Sequence, residues 1–433
     1  MTGFIPLNPS DHVLLVMDRE IRREGLPGAW CAFALELEGQ PDEAALRSAL
    51  DEAGSVFPVL TARLTQRGRQ FGWRPTSLPI PLIQNYCPPD QDVTDFWKSR
   101  FKELMHGSGN SHDEVPLSFH CLQGQGKCLL VARWLHPLMD AGGIKRLFDF
   151  VMASPAKRGK YLRNDPSLVD RKLKSWSWKR RLGLLWRGKC HNDRIDLQSS
   201  SQPVSPGPMA NRSLETDHLL LDAERTRQVL SILYRQVGIS GQSLYFIGCL
   251  MRALEHMGPG LKRDGWCIPY AFDLRPGNAP VPVTGNQVSV LFAQASHEVT
   301  RQRDLLFEHL KRQHAEAVRQ ELEMAYLPLM WLGRWLSLPR YAQILRQQKS
   351  GGERSSAWFS DIGEIRFSQP DFLGAPIKGV RHGCFITTPP SLAVLFSRFA
   401  GRLSVSINYL HPDLSAEWIS RFQTRLTAEL LAD

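Results

Sequence analysis

The hydrophobic positions of this chain follow two rhythms, a two-residue alternation and a three-to-four-residue recurrence, which take turns along its length. Within residues 31–64 a strand-like run gives way to Ala45, Leu46, Ala49, Leu50 and Ala53, a spacing that predicts a helix. Acids occupy its first turn, and Gly54 is its expected stop. Strands are predicted at 117–122 and 128–135, joined by the turn Gln-Gly-Gln-Gly-Lys. Periodicity is then lost over 151–216, where Ser, Pro, Gly and basic residues dominate, and this stretch reads as a crossover between halves. Beyond it, Asp222 is the expected N-cap of a helix that Gly238 ends, and 239–258 reads as a more buried helix. Further strands are predicted at 266–272, 287–293, 393–397 and 402–409, the last alternating through Leu403, Val405 and Ile407. Strands interleaved with helices predict an α/β (α+β) protein.

A short internal echo supports two halves of similar topology. Leu-His-Pro closes a predicted strand at 135–137 and again at 410–412, and each time a helix follows. The expected division is 1–170, a linker at 171–216, and 217–433.

Composition narrows the class. A chain of 433 residues with 42% hydrophobic content can bury a large core. Its eight cysteines, at 31, 87, 121, 128, 190, 249, 267 and 384, form neither a C-x-x-C pair nor a metal-ligand spacing, so a reducing, cytoplasmic compartment and no metal site are expected. The N-terminal stretch lacks the basic flank and apolar core of a signal peptide, and no run of eighteen apolar residues occurs. The most apolar segment, 325–339, is short, carries Arg334, and reads as a buried or pocket-lining helix. The net charge of +10 is concentrated in residues 171–189, which hold eight Lys or Arg and no acid. One basic segment in an otherwise nearly balanced chain argues against a broad nucleic-acid-binding face.

The run "WLHPLMDAGG", residues 134–143, holds the arrangement with the most chemical potential. The spacing from His136 to Asp140 carries little by itself, because thirteen histidines give about one H-x-x-x-D by chance. On one reading Asp140 caps the following helix, Gly142 and Gly143 relieve a tight turn, and His136 is a satisfied strand-end residue. On the other, His136 is held rigidly at a strand end, where an imidazole can transfer protons near neutral pH. Cys190-His191 invites a nucleophile reading but lies in the unpatterned crossover, and His411 has Ser415 where Asp140 follows His136.

"LHPLMDAGG" resembles the HHxxxDG motif of the chloramphenicol-acetyltransferase-like superfamily, which includes nonribosomal-peptide condensation domains, wax ester synthase/diacylglycerol acyltransferases, polyketide-associated acyltransferases and BAHD acyltransferases. Similarity extends over nearly the whole chain. "LELEGQPDEAALRSALDEAGSVFPVLTARL" is similar to the family's opening strand and helix, and "LDAERTRQVLSILYRQVGISGQSLYFIGCLMRAL" to the start of its second half. "AFDLRPGNAPVPVTGNQVSVLFA" resembles its D-L-R and G-N segment, "WFSDIGEI" its Ser-Asn-x-Gly stretch, and "RLSVSINYLHPDLSAEWISRFQTRL" its closing strand and helix.

The resemblance implies two similar domains in a V-shaped pseudo-dimer, with an active-site tunnel at their interface. It implies no bound cofactor, with acyl-CoA or a phosphopantetheine thioester on an acyl carrier protein as co-substrate, and His136 as the general base that deprotonates a hydroxyl or amine acceptor. Asp140 would be structural and paired with Arg275, and Gly142 and Asn286 would shape the tunnel, although a Gly-Asn turn at 285–286 is equally compatible with Asn286. Leu135 stands where the family's first histidine would, Ala141 where its glycine would, and Asp361 where its asparagine would. An ionised carboxylate donates no hydrogen bond, so Ser360 is the better oxyanion donor candidate.

Trp176, Trp178 and Trp186 lie among the basic residues of 171–189, and three readings stand for this segment: peripheral contact with the inner face of a membrane, docking of an acidic carrier protein or coenzyme A, or a solvated loop. The expected activity is acyl transfer to a lipid-like or natural-product acceptor by a monomer that binds no nucleic acid. An amide-forming condensation enzyme and a non-catalytic carrier-protein or acyl-chain binder are the alternatives.

Overall fold

The computed structural model describes residues 3–107, 115–159, 167–205, 212–275, 282–349 and 351–432. Residues 276–281, which follow Arg275, and the Pro-rich stretch 206–211 lie outside the described residues. The chain forms two compact units, each closed by segments distant in sequence. One comprises Met1–Lys172 with Leu274–Val288 and Ile365–Phe385; the other comprises Leu173–Asp273, Ser289–Glu364 and Ile386–Asp433.

The first unit is built on a six-stranded sheet in the order Asp371–Phe372, Ala375–Gly383, Trp30–Glu38, Lys127–Leu135, Leu117–Gly124, Leu82–Tyr86. Its pairs are antiparallel except for the last, where Leu82–Tyr86 runs parallel to Leu117–Gly124. Gln125 and Gly126 turn the 117–135 hairpin with positive φ at both positions, the conformation that a two-residue hairpin loop requires. Alternate residues dress opposite faces of the sheet. Phe33 and Phe119 meet Phe148 of the helix Ala141–Met152 with ring centroids 5.1 and 5.7 Å apart. On the other face the helix Val93–His106 packs, and its Trp97 indole donates to the Leu122 carbonyl at 2.9 Å.

The second unit holds a four-stranded sheet in the order Trp358–Glu364, Leu392–Phe399, Arg402–His411, Ser213–Leu221, and a separate two-stranded pair, Gly265–Asp273 with Val288–Ser296. The helix Gln242–Met257 lies on the larger sheet, Phe246 stacking on Phe396 at 4.4 Å, and the Tyr245 hydroxyl ties it to the Leu430 carbonyl of the helix Ala416–Leu431. Asp222 caps the helix Ala223–Val237 by accepting from the Arg225 N–H, and Gly238 ends it with a positive φ of 75°.

Three local expectations are corrected. The helix Glu43–Val56 runs through Gly54, because the restriction that Pro58 imposes lies further on. The unpatterned crossover contains, among the described residues, three helices, Pro155–Arg158, Leu168–Ser175 and Trp178–Ile195; Ser177 caps the last by accepting from the Arg180 N–H. Seven of the 18 residues of the helix Trp178–Ile195 are charged and it buries only Leu184, Gly188 and Ile195, so its hydrophobic period is too sparse to read. Finally, the apolar segment 325–339 is only half buried: the helix Leu322–Gly333 buries Tyr326, Leu327 and Met330, whereas Trp331, Leu332, Trp335 and Leu336 face solvent.

Candidate active site

In the first unit, five stretches of chain meet around His136. The strand Lys127–Leu135 delivers it to a single 3-10 turn, His136–Leu138, where its backbone N–H donates to the Ala29 carbonyl at 2.8 Å. Asn286, fully buried, donates from its side-chain amide to the His136 carbonyl at 2.9 Å. The Gly285 N–H donates to the Leu138 carbonyl at 2.7 Å, so the loop before Val288 grips both ends of the turn. The His136 ring stands edge-on to Phe385, centroids 5.6 Å apart. Its Nδ1 is buried without a full hydrogen bond. Burial drives the imidazole below its ordinary range, against the opposing pull of its own carbonyl, the Asp140 charge and the Asn286 amide. That shift favours the neutral ring, the form a general base requires.

Asp140 is the N-cap of the helix Ala141–Met152. Its Oδ1 accepts from the Gly143 N–H at 2.9 Å and from Arg275 Nη2 at 2.7 Å, and its Oδ2 accepts from the Gln287 N–H at 2.8 Å. The side chains of the ion pair are 7% and 4% exposed. Burial pulls Asp140 upward, but the Arg275 charge and hydrogen bond, with the two backbone donors, outweigh it and hold the carboxyl below the usual carboxylate range. Gly142 sits under the guanidinium: a Cβ there would lie 2.9 Å from Arg275 Nη1.

Four contributors were missed by the sequence reading. Asp11, fully buried near the start of the helix Pro9–Arg23, accepts on Oδ1 from the Asn286 N–H at 2.6 Å and from its side-chain amide at 2.9 Å. Asn8 forms a capping box with Asp11 and donates from its amide to the Asn286 carbonyl at 3.3 Å. Gln287 joins Asp140 to the Leu168 N–H, which its Oε1 accepts at 2.9 Å, and Phe385 flanks the imidazole. The Asn-Pro-Ser-Asp stretch did signal a helix start. Nothing local signals its tie to residue 286.

Ser360 lies on the strand Trp358–Glu364 of the second unit. Its neighbour Asp361 is occupied: its carboxylate accepts from Gln242 Nε2 at 3.0 Å, from Ser243 Oγ at 2.9 Å and from the Gly363 N–H at 3.0 Å. Burial raises Asp361 despite those donors and the Arg398 charge. Asp361 thus anchors the start of the helix Gln242–Met257 to the sheet.

Three other arrangements resemble chemistry and are structural. Ser201 Oγ, His297 Nε2 and Glu255 are linked at 3.0 and 2.5 Å, the connectivity of a hydrolytic triad. Yet Ser201 is fully buried, its Oγ also accepts from the Arg263 N–H at 2.8 Å, and His297 Nε2 is shared with the Arg263 carbonyl at 3.1 Å, so the group is closed in on itself. His191 turns its Nδ1 to the Tyr326 hydroxyl at 2.7 Å, and burial, helped by the Arg194 charge, lowers it to about 4. After the second Leu-His-Pro, Arg212 pairs with Asp413 at 2.9 Å while His411 is exposed.

No family model matches this sequence, and no curated protein matches it. Solved structures do share its fold. The chain is similar to the TRI3 trichothecene 15-O-acetyltransferase of Fusarium sporotrichioides, with a TM-score of 0.74 over 99% of this chain and 95% of that one at 11% identity. It is similar to the first condensation domain of the CDA synthetase, with a TM-score of 0.74, 99% and 97% coverage and 14% identity. A starter condensation domain of rhizomide synthetase, solved with C8-CoA, gives 0.68, 99% and 95% at 12% identity. At such identities the likeness establishes the fold, which is the mixed, two-unit fold of the chloramphenicol-acetyltransferase-like proteins.

Proposed function

We propose that the protein is an acyltransferase that moves an acyl group from a coenzyme A or acyl-carrier-protein thioester to a hydroxyl, with His136 as general base. The observation that carries this reading is the state of His136: a ring lowered toward neutrality on a turn held from three sides, at Ala29, Leu138 and Asn286. In the step envisaged, the neutral imidazole takes the proton of the acceptor hydroxyl as its oxygen attacks the thioester carbonyl. The carbon–sulfur bond then breaks, and the imidazolium returns the proton to the departing thiolate. Atoms and charge balance without an acyl-enzyme, a metal or a bound cofactor.

Asp140 and Arg275 act as an architectural pair that fixes the turn. Asn286 and Gly142 serve the same loop, and Ser360 is assigned as oxyanion donor on the resemblance of its segment and on the occupancy of Asp361. The fold likeness to condensation domains supports a second reading, amide formation on an amine acceptor by the same base. The likeness to a domain solved with C8-CoA supports a thioester donor.

The test is incubation with a panel of acyl-CoAs and acyl carrier proteins plus alcohols and amines, read by mass spectrometry. Ester formation that His136→Ala abolishes supports the proposal, and amide formation supports the second reading. Equal turnover by His136→Ala rejects the general base. Absence of product with every pair favours a protein that binds acyl chains or carriers without catalysis.

A further inference from the structure

The helix Trp178–Ile195 presents a surface that the proposed chemistry does not use. Each four-residue step advances about 40° around a helix, so Trp178, Leu182 and Trp186 stand in one ridge about 12 Å long and about 80° wide. They are 67%, 54% and 65% exposed. The buried residues Leu184, Gly188 and Ile195 cluster roughly 140° away from the middle of that ridge. There Gly188 packs so closely on Ala325 that a Cβ would come within 2.9 Å of its carbonyl. The ridge therefore points outward from a helix that is otherwise seated on its own unit. Trp176, which blurs the pattern in the sequence, lies outside the helix.

The cations divide by task. Arg180 and Arg187 are engaged with Glu321 at 2.6 and 3.0 Å, fastening the helix down. Lys179 and Arg181, both exposed, flank the ridge, and Lys189 continues it. The Lys179 and Lys189 ammonium groups lie 5.9 and 5.6 Å from the centroids of the Trp178 and Trp186 rings. The nearest acid on the helix, Asp193, is held by Lys189 and Lys349.

We propose that this ridge docks the protein on the surface of a bilayer containing anionic phospholipid. Indole rings favour the headgroup level, and flanking lysines are drawn to a negatively charged plane, which together describe an interfacial helix. No helix among the described residues is long and apolar enough to cross a membrane, so the contact is with one leaflet. An acidic protein partner fits less well. Of the guanidinium groups that would read a patterned set of carboxylates, Arg180 and Arg187 are committed to Glu321 and Arg181 donates to the Trp176 and Lys174 carbonyls at 3.1 and 3.4 Å, whereas Lys179 and Lys189 are point charges suited to a diffuse negative field. The inference is independent of the acyl-transfer reading.

The experiment is co-sedimentation of the full chain with vesicles of phosphatidylcholine alone and of phosphatidylcholine mixed with phosphatidylglycerol. The expected result is binding to the mixed vesicles alone, released by high salt, and weakened about tenfold or more in Trp178→Ser/Trp186→Ser and in Leu182→Glu. All three positions are exposed, so the variants should melt with the parent protein and, if the acyl-transfer reading holds, keep turnover on soluble acceptors. Failure of parent binding, or undiminished binding by the ridge variants, overturns the proposal. Saturable binding to an acidic acyl carrier protein that the same substitutions abolish, without vesicle binding, assigns the ridge to a protein partner instead.

Discussion

Asp11 accepts both the backbone N–H and the side-chain amide of Asn286, at 2.6 and 2.9 Å, on a single carboxylate oxygen across 275 residues of sequence. Because the same Asn286 amide reaches the His136 carbonyl at 2.9 Å, a buried acid at the start of the chain is one residue removed from the candidate base. Burial pushes the Asp11 carboxyl up from 3.8 to about 7, against the pull of its Asn286 and Asn8 donors; the Asp170 charge adds to the rise. A group that holds its proton more tightly when folded contributes stability that is fully present below its unfolded pKa and is lost as pH rises through the folded one. The Asp11 contribution should therefore decline between about pH 4 and pH 7. Denaturant titrations of the parent and of Asp11→Asn across that window should diverge, the variant lacking the decline. Parallel curves would show that Asp11 does not titrate differently on folding.

The His136 imidazole sits below its ordinary range because of burial, and the Asp140 charge is one of the groups that limits the drop. A base must be unprotonated to work, so turnover should be flat at neutral pH and fall on the acid side, with the break below about 6.5. Asp140→Asn removes a negative charge and with it the local neutralisation of the Arg275 cation beside the turn, and both changes disfavour the imidazolium. The acid limb should shift to lower pH in that variant even if the maximal rate drops. An NMR titration of the His136 ring would report the same displacement without activity, and a shift to higher pH would contradict the assignment.

Asp140 and Arg275 exemplify a buried pair whose net worth is small and whose rupture is costly. Replacing Asp140 with Ala removes the buried negative charge that the Arg275 guanidinium faces, and replacing Arg275 with Met removes the positive charge that the Asp140 carboxylate faces, each at a cost of about 3–5 kcal/mol. Combining the two removes both charges and should cost clearly less than their sum. A double-mutant cycle measured by urea unfolding checks this; strict additivity would mean the pair is uncoupled.

Sequence rhythm located most of the scaffold because the strands that carry it are strongly patterned. The runs 128–135 and 402–409 are each found within two residues of the strands Lys127–Leu135 and Arg402–His411. Elements whose period is masked were lost. The helix Trp178–Ile195 buries only three positions, and Gly54 sits inside a helix that other contacts sustain. At the site, Asp140 as a helix cap follows from local chemistry, since an aspartate before two glycines suits an N-cap. Asp11, Gln287 and Phe385 are invisible to such reasoning, because their part in the site consists of contacts with residues remote in sequence. The segment 365–385 illustrates why: it leaves the second unit to complete the sheet of the first, pairing Val380 with Leu35, and no local pattern encodes that return.

Gly142 and Gly143 look interchangeable in sequence and should not be. A Cβ at Gly142 would meet the tip of the Arg275 side chain at 2.9 Å, and a small rotation of the guanidinium can relieve part of the crowding. At Gly143 the obstacle is the Val283 carbonyl at 2.3 Å, which is main chain of the same loop that grips Leu138 and His136. Relief there requires moving the backbone that orients the candidate base. Gly142→Ala should cost about 1–2 kcal/mol of stability and retain measurable turnover. Gly143→Ala should cost about 3 kcal/mol or more and lose turnover disproportionately, because the loop between Val283 and Gln287 is displaced with it. Thermal melts and acyl-transfer assays of the two variants provide the comparison. Equal effects would mean that the 283–287 loop yields as easily as an arginine side chain, and the rigid turn on which the general-base reading depends would lose its support.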